Sequence, residues 1–316
     1  MCLQGQPIPA GRAKPEPGPA LNDMRPIPRA LACLLLCLPI DPASAAVDLP
    51  ESLDPGLYPI DPVIEIFSDG WIDWSAGMAS AWGRTPAKES GDMNNTPALR
   101  EMAATRDARE RLWAVIGDIR IGPAGALSAD PAAISAVQSL IDNAPVAQKR
   151  ERGRFLEVRL TLPMYGPVGI VRALRGGDDS GMDVPVAPAG KDEPTGVVID
   201  ARGTGLSPSL FPRILDPASA TLWSVEAADP FTLMMRGVAG YGRMIKIVSP
   251  GPTRLEILKS PVLARTGARP VHLRAMAAAG DGGADIVLDE ESASALAGSG
   301  RLRLFLAEAR LVIVID

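Results

Sequence analysis

The last strand-like segment of the chain, Leu311-Val312-Ile313-Val314-Ile315, contains no polar side chain. A five-residue run of this kind fits a strand buried on both faces. A segment so apolar is not expected as a free tail. The partner expected for it is Val197-Val198-Ile199, a short apolar run that ends at Asp200. The two are expected to pair at the centre of one sheet, which makes residues 195–316 an α/β-type C-terminal domain.

Other segments of that domain follow from the same reasoning. Arg213-Ile214-Leu215 and Thr221-Leu222-Trp223 read as a hairpin around Asp216-Pro217. Val271–Ala277 and Asp285–Leu288 read as strands, and Glu290–Leu296 as a helix. Pro230–Met244 reads as a helix broken by Gly237, Gly240 and Gly242. Upstream, Gly176–Pro194 is rich in Gly, Pro and Asp and reads as a linker. Its Gly176-Gly177-Asp178-Asp179 cluster lacks the twelve-residue spacing of a calcium loop, so a solvated linker is expected.

Residues 63–175 form the expected N-terminal α+β domain. Trp71–Gly83 (WIDWSAGMASAWG) reads as two short strands joined at Ser75-Ala76-Gly77, with Trp71, Trp74 and Trp82 as half-buried anchors. Thr96-Pro97 opens a helix, with an N-cap followed by proline at the first helical position. Ala104, Ala108, Leu112, Val115 and Ile119 recur at helical spacing and predict its buried face. A second helix follows Asp130-Pro131, with Ile134, Val137, Leu140 and Ile141 inward. Val146–Pro163 reads as one long strand, exposed at first and buried later. The fold class is therefore α+β, in two domains.

Before these domains, Met24–Ala46 has the layout of a secretory signal. Arg25 and Arg29 precede an apolar run, Ala30–Leu38, and Ala43-Ser44-Ala45 supplies an A-x-A cleavage site. The run is far short of the ~20 residues that cross a bilayer. Cleavage is expected after Ala45 or Ala46. Residues 1–23 read as a non-native or disordered extension before Met24, and 47–62 as an extended, Pro-punctuated lead-in. Cys2, Cys33 and Cys37 all precede the cut, so the mature chain has no thiol chemistry and no disulfide. Cys37 follows Leu36, a poor lipobox, so periplasmic or secreted export is favoured over an outer-membrane lipid anchor.

Composition narrows the partners. Hydrophobic residues make up 47% of the chain and the net charge is −5. No basic stripe with interleaved aromatics argues for nucleic acid, and no later stretch is apolar enough for a transmembrane helix.

The candidate chemistry is sparse. Gly203-Thr204-Gly205 follows a strand, but Pro208 stands where a dinucleotide fingerprint needs its third small residue, so a turn is expected. His272, the one histidine, lies on an alternating strand with Arg274 and has no G-x-S-x-G nucleophile to serve. No metal site and no cofactor are expected. Asp200 and Arg202 form the sharpest polar pair, at a strand end where a ligand can be held. Their structural reading is an ion pair that fixes the loop. Asp285, Asp289, Glu290 and Glu291 add acidity nearby.

Thr195–Pro212 (TGVVIDARGTGLSPSLFP), Ile72–Gly77 with Trp82-Gly83, Trp113–Ile121, Ala284–Leu288 and Ala309–Asp316 together resemble blocks of secreted bacterial envelope proteins. These are the proteins related to the LPP-type lipoproteins and to flagellar assembly protein T. The resemblance implies a non-enzymatic envelope protein of structural or assembly type, with envelope proteins as partners. The alternative is a periplasmic small-ligand or glycan-binding module using the Asp200/Arg202 strand end. A hydrolase would need paired carboxylates converging in one cleft.

Overall fold

The computed structural model describes residues 61–85, 96–123, 125–176, 193–244, 265–267 and 269–316, all within one compact unit, Val47–Asp316. The signal, the lead-in up to residue 60 and the linker from 177 to 192, including Gly177-Asp178-Asp179, lie outside the described residues.

The N-terminal part runs β1 (Ile64–Ile66), β2 (Gly70–Asp73), β3 (Met78–Arg84), α1 (Pro97–Gly117), β4 (Arg120–Gly122), β5 (Gly125–Ala126), α2 (Pro131–Asp142), β6 (Val146–Arg152), β7 (Phe155–Pro163) and α3 (Ile170–Arg175). The C-terminal part runs β8 (Gly196–Asp200), β9 (Ile214–Leu215), β10 (Thr221–Trp223), α4 (Pro230–Arg236), β11 (Gly240–Arg243), β12 (Pro270–Ala279), β13 (Asp285–Leu288), α5 (Glu290–Gly298), α6 (Gly300–Ala307) and β14 (Leu311–Ile315). The protein is α+β. Its larger sheets have the orders β1-β2-β3-β7-β6 and β10-β9-β13-β12-β8-β14-β11.

β14 pairs in parallel with β8, placing Leu311 beside Val197 and Ile313 beside Ile199. All five of its residues are buried, as two-sided burial requires. β11 adds to its other edge, also in parallel, and β12 flanks β8.

The five-stranded sheet is antiparallel and has two different faces. Ile72, Ala79, Ala81, Val158, Leu160 and Leu162 point at α1, whose Ala104, Ala108, Leu112 and Val115 are buried against them. Contact here is backbone-close. A Cβ at Gly83 would lie 2.0 Å from the Ala108 nitrogen and 2.3 Å from the Ala104 oxygen. The Thr96 side chain accepts the Leu99 N–H, and proline follows at the first helical position, as the sequence predicts.

The other face carries Ile66, Trp71, Trp82, Arg159 and Arg150 by register. The Arg150 guanidinium lies 3.9 Å from the Trp82 ring centre, and Arg159 lies between Trp71 and Trp82 at 5.7 and 5.5 Å. Such stacking binds strands across the sheet without an aliphatic layer above.

Three expectations are corrected. Val146–Pro163 is a hairpin of β6 and β7, with Arg152 opposite Phe155. Gly153, at φ +61°, makes the tight turn. Every residue of β6 is exposed, so charge masks a second strand. Pro230–Met244 is helix α4 followed by strand β11. Gly237, at φ +69°, stops the helix after seven residues. Trp74 is not half-buried. It sits in the turn after β2 at 1% exposure, donates its indole N–H to Glu65 at 3.0 Å and meets Tyr241 edge-on at 5.7 Å. Helix α6 follows α5 across Ser299, whose hydroxyl accepts the Leu302 N–H.

Replacing Gly83 with valine should lower unfolding stability by about 3 kcal/mol in urea titration, because the clash is with helix backbone that cannot yield. Gly153→Ala, with nothing within 4 Å of the new Cβ, should lose only the left-handed penalty of about 1 kcal/mol.

Candidate functional site

Asp200 ends β8, and Arg202 lies in the turn that follows rather than further along the strand. The pair therefore closes locally. The Asp200 carboxylate accepts from Arg202 Nε at 2.8 Å, Nη2 at 2.6 Å and the Arg202 backbone N–H at 3.2 Å. This is an Asx-type turn reinforced by a fork of guanidinium donors. The bond from Arg202 is the main reason the Asp200 carboxyl titrates below the usual aspartate range. Both side chains remain partly open to water, at 37% and 48%.

The loop beyond is tied at each step. Gly203 and Gly205 take φ of +76° and +72°, which accounts for both glycines. The Gly203 N–H donates to the Asp316 carboxylate at 2.8 Å, and Thr204 Oγ1 donates to the Ala201 carbonyl at 2.6 Å. Gly203-Thr204-Gly205 is thus a turn held by its own chain.

On the neighbouring strand, Arg274 stands opposite Asp200 and His272 opposite Val198. Both are exposed. Partial desolvation of the ring lowers the His272 pKa, and the Asp200 charge opposes that shift. Arg274 links this end to Asp289, whose N–H donates to the Arg274 carbonyl at 3.0 Å, and its charge adds to the hydrogen bonds from Arg202 and Ser292 that lower the pKa of Asp200 and Asp289. Asp289 caps α5, accepting from the Ser292 N–H at 2.9 Å. Asp285 is fully buried on β13 and grips Arg213, accepting from Nε at 3.1 Å, Nη2 at 2.5 Å and the backbone N–H at 3.2 Å. Sequence reasoning placed Asp285 with the loose acids. The available signal was an aspartate opening a fully apolar strand, with an arginine opening β9, its parallel neighbour. Among the described residues, no cluster of His, Cys, Asp and Glu is placed to hold a metal ion.

A second polar locus lies at the opposite strand ends, where β11 and β14 begin. Trp74, Ser75, Tyr165, Arg236, Tyr241 and Arg265 are among the residues lining a cavity of about 250 Å³. The Ser75 hydroxyl accepts the Val63 N–H at 2.8 Å and donates to the Tyr241 carbonyl at 2.6 Å. The Tyr241 hydroxyl donates to the Ser209 carbonyl at 2.9 Å and accepts the Ser209 N–H at 3.0 Å. Burial pushes the Tyr241 phenol upward, so it stays neutral. Sequence reasoning named Gly240 and Gly242 only as helix breakers and singled out none of Tyr165, Tyr241 and Arg265. Their convergence comes from pairing between segments far apart in sequence.

Residues 196–316 match the family described as Treponema pallidum Tp0624, second domain. The match begins at β8 and ends with the residue after β14, so it spans the seven-stranded sheet and less than half of the chain. No curated protein matches the chain.

Two substitutions separate buried from exposed pairing. Asp285→Asn should destabilise by about 3 kcal/mol, the lower end for breaking a buried pair, because Arg213 retains access to water. For Asp200, whose folded pKa is depressed, the pair's contribution is present above the unfolded aspartate pKa of about 3.9. It is lost as pH falls through the folded value. The denaturation midpoints of wild type and Asp200→Asn should therefore differ at pH 7 and converge as pH falls through the folded Asp200 value.

Proposed function

We propose that this chain is a non-enzymatic exported protein of the cell envelope, acting as a structural or assembly component that binds other envelope proteins. The observation that carries the reading is the open face of the five-stranded sheet. β1 is an edge strand only three residues long, and its Ile66 is 83% exposed beside Trp71. A strand this short offers little edge for strand addition, so the exposed Ile66 beside Trp71 suits side-chain docking by a partner protein. The strand-end groups support the same reading. Asp200, Asp285 and Asp289 each hold an arginine or a backbone N–H, which is a structural use of charge.

The signal layout of Met24–Ala46 supports export, and the resemblance to LPP-type lipoproteins and flagellar assembly protein T supports an envelope role. The family match supports a modular protein, since the Treponema pallidum protein carries the matching region as its second domain. Use of the Asp200/Arg202 end for a ligand is less favoured, because the two side chains already satisfy each other.

Fractionation of the native host should place the tagged chain in the envelope fraction, with an N-terminus at Ala46 or Val47. A photo-crosslinking residue at position 66 should capture envelope protein there, and Ile66→Asp should reduce copurification severalfold. Recovery only from the cytosol, with an uncut N-terminus, would refute the reading.

A further inference from the structure

β6 forms the edge of the five-stranded sheet opposite β1. It is seven residues long, and all seven are exposed. Its inner edge pairs with β7. Among the described residues no strand pairs with its outer edge. An edge strand of this length leaves a row of N–H and C=O groups with which another chain can pair.

The two faces of β6 use their charges differently. On the side facing α1 the charges are matched within the fold. Lys149 donates to Glu101 at 2.5 Å, and Arg100 reaches Glu151 at 3.7 Å. On the open face, register sets Arg150 opposite Glu157, Arg152 opposite Phe155, and Gln148 opposite Arg159. Arg154 follows in the turn beside Gly153. Glu157 is the one acid of this group, and Arg150 Nε donates to it at 2.6 Å. Among the described residues no carboxylate pairs with Arg152, Arg154 or Arg159. The Arg159 Nε is shielded from water and has no acceptor among them. A guanidinium held by its face against an indole keeps its edge donors for an acceptor, and a shielded donor left without one is destabilising. The whole chain is acidic, with 37 Asp and Glu against 32 Lys and Arg. Arginine in excess at this edge is therefore a local reversal of sign.

We propose that β6 is a docking edge for an acidic, extended segment of a partner protein, which adds to the sheet as a further strand. Charge on an edge also guards it against pairing, but a basic edge repels basic strands and attracts acidic ones. Alternate side chains of a strand share a face about 6.7 Å apart. Carboxylates at every second position of an added strand therefore run past Arg150 and Arg152 in step. A nucleic acid or an anionic polysaccharide meets the arginines but not the backbone groups of the edge, so a polypeptide is the occupant that uses both. β6 lies at the sheet edge away from Ile66, and only the partner's location rests on the proposed envelope role.

Fluorescence anisotropy of a labelled short peptide alternating threonine and glutamate, titrated with the purified full chain, tests the edge. Saturable binding is expected, and the same peptide with lysine in place of glutamate should not bind. The glutamate peptide methylated at its backbone nitrogens keeps its charge but cannot donate to a strand edge. It should bind about tenfold more weakly, with the protein itself unaltered. Arg152→Glu together with Arg154→Glu changes two exposed arginines that hold no carboxylate in the fold. That variant should also lose about tenfold in affinity, with circular dichroism unchanged. No saturable binding by the folded wild type, equal affinity for the methylated peptide or for an oligothymidylate, or unchanged affinity in the folded double variant overturns the proposal. Each of these outcomes leaves the fractionation and the crosslinking at position 66 untouched, so the envelope role stands or falls separately.

Discussion

Insertion of β14 between β8 and β11 is the constraint on which the rest of the structure depends. Its five buried side chains each contribute about 1.5–3 kcal/mol of apolar burial. The strand also sets the register at both ends of the sheet. Val197 N–H donates to the Arg310 carbonyl at one end, and Ala201 N–H donates to the Val314 carbonyl at the other. The Asp316 carboxylate and backbone carbonyl, just beyond, hold Gly203 and Arg243. Just before it, the Ala309 carbonyl receives Arg265. The Asp200 turn and the Arg265 cavity are therefore placed by one strand. β8 and β14 are also far apart in sequence, so the loop closing them must form before their contacts stabilise it. Such topologies fold slowly.

The second sheet is attached through polar groups as well as apolar ones. Ile72, Leu112 and Leu160 of the five-stranded part share one buried cluster with Ile199, Leu306 and Ile313 of the other. Backbone groups where the two parts meet still need partners. Ser75 bridges Val63 to Tyr241, and the Gly166 N–H donates to the Met234 carbonyl at 2.8 Å. Arg120 Nη1 donates to Glu65 at 2.9 Å and to the Pro208 carbonyl at 3.3 Å. Trp74 and Tyr165, both on loops of the first part, thus reach the first turns of the second. The cavity is a product of that junction.

What the sequence made legible follows from the range of each interaction. The α1 stripe and the Thr96 and Asp130 caps are local, so spacing alone finds them. LVIVI was legible because burial on both faces leaves no polar position. The β6–β7 turn was hidden because β6 is charged along its length and Gly153 alone marks the reversal. Helix α6, Gly300–Ala307, was not read at all. Its buried Leu302, Phe305 and Leu306 are interrupted by the exposed Arg303 and Leu304 and follow α5 with only Ser299 between. Trp74 was ranked with Trp71 and Trp82 because all three fall in one strand-like segment, Trp71–Gly83. Only the turn conformation, with Asp73 accepting the Ser75 and Ala76 N–H groups, rotates Trp74 into the interior.

The candidate site shows the same limit in sharper form, through three arginines. Arg202 was conspicuous because its partner stands two residues away, yet that nearness is what lets the pair close on itself. Arg213 finds Asp285 across a parallel strand pair, and the charges are balanced there too. Among the described residues, Arg265 donates only to carbonyls. A guanidinium on carbonyls alone satisfies hydrogen-bond geometry but gains no ion pair from them. Residue type and spacing cannot separate these cases. They differ in whether the folded chain brings a carboxylate to the guanidinium, and among the described residues one reaches Arg202 and Arg213, whereas Arg265 meets carbonyls.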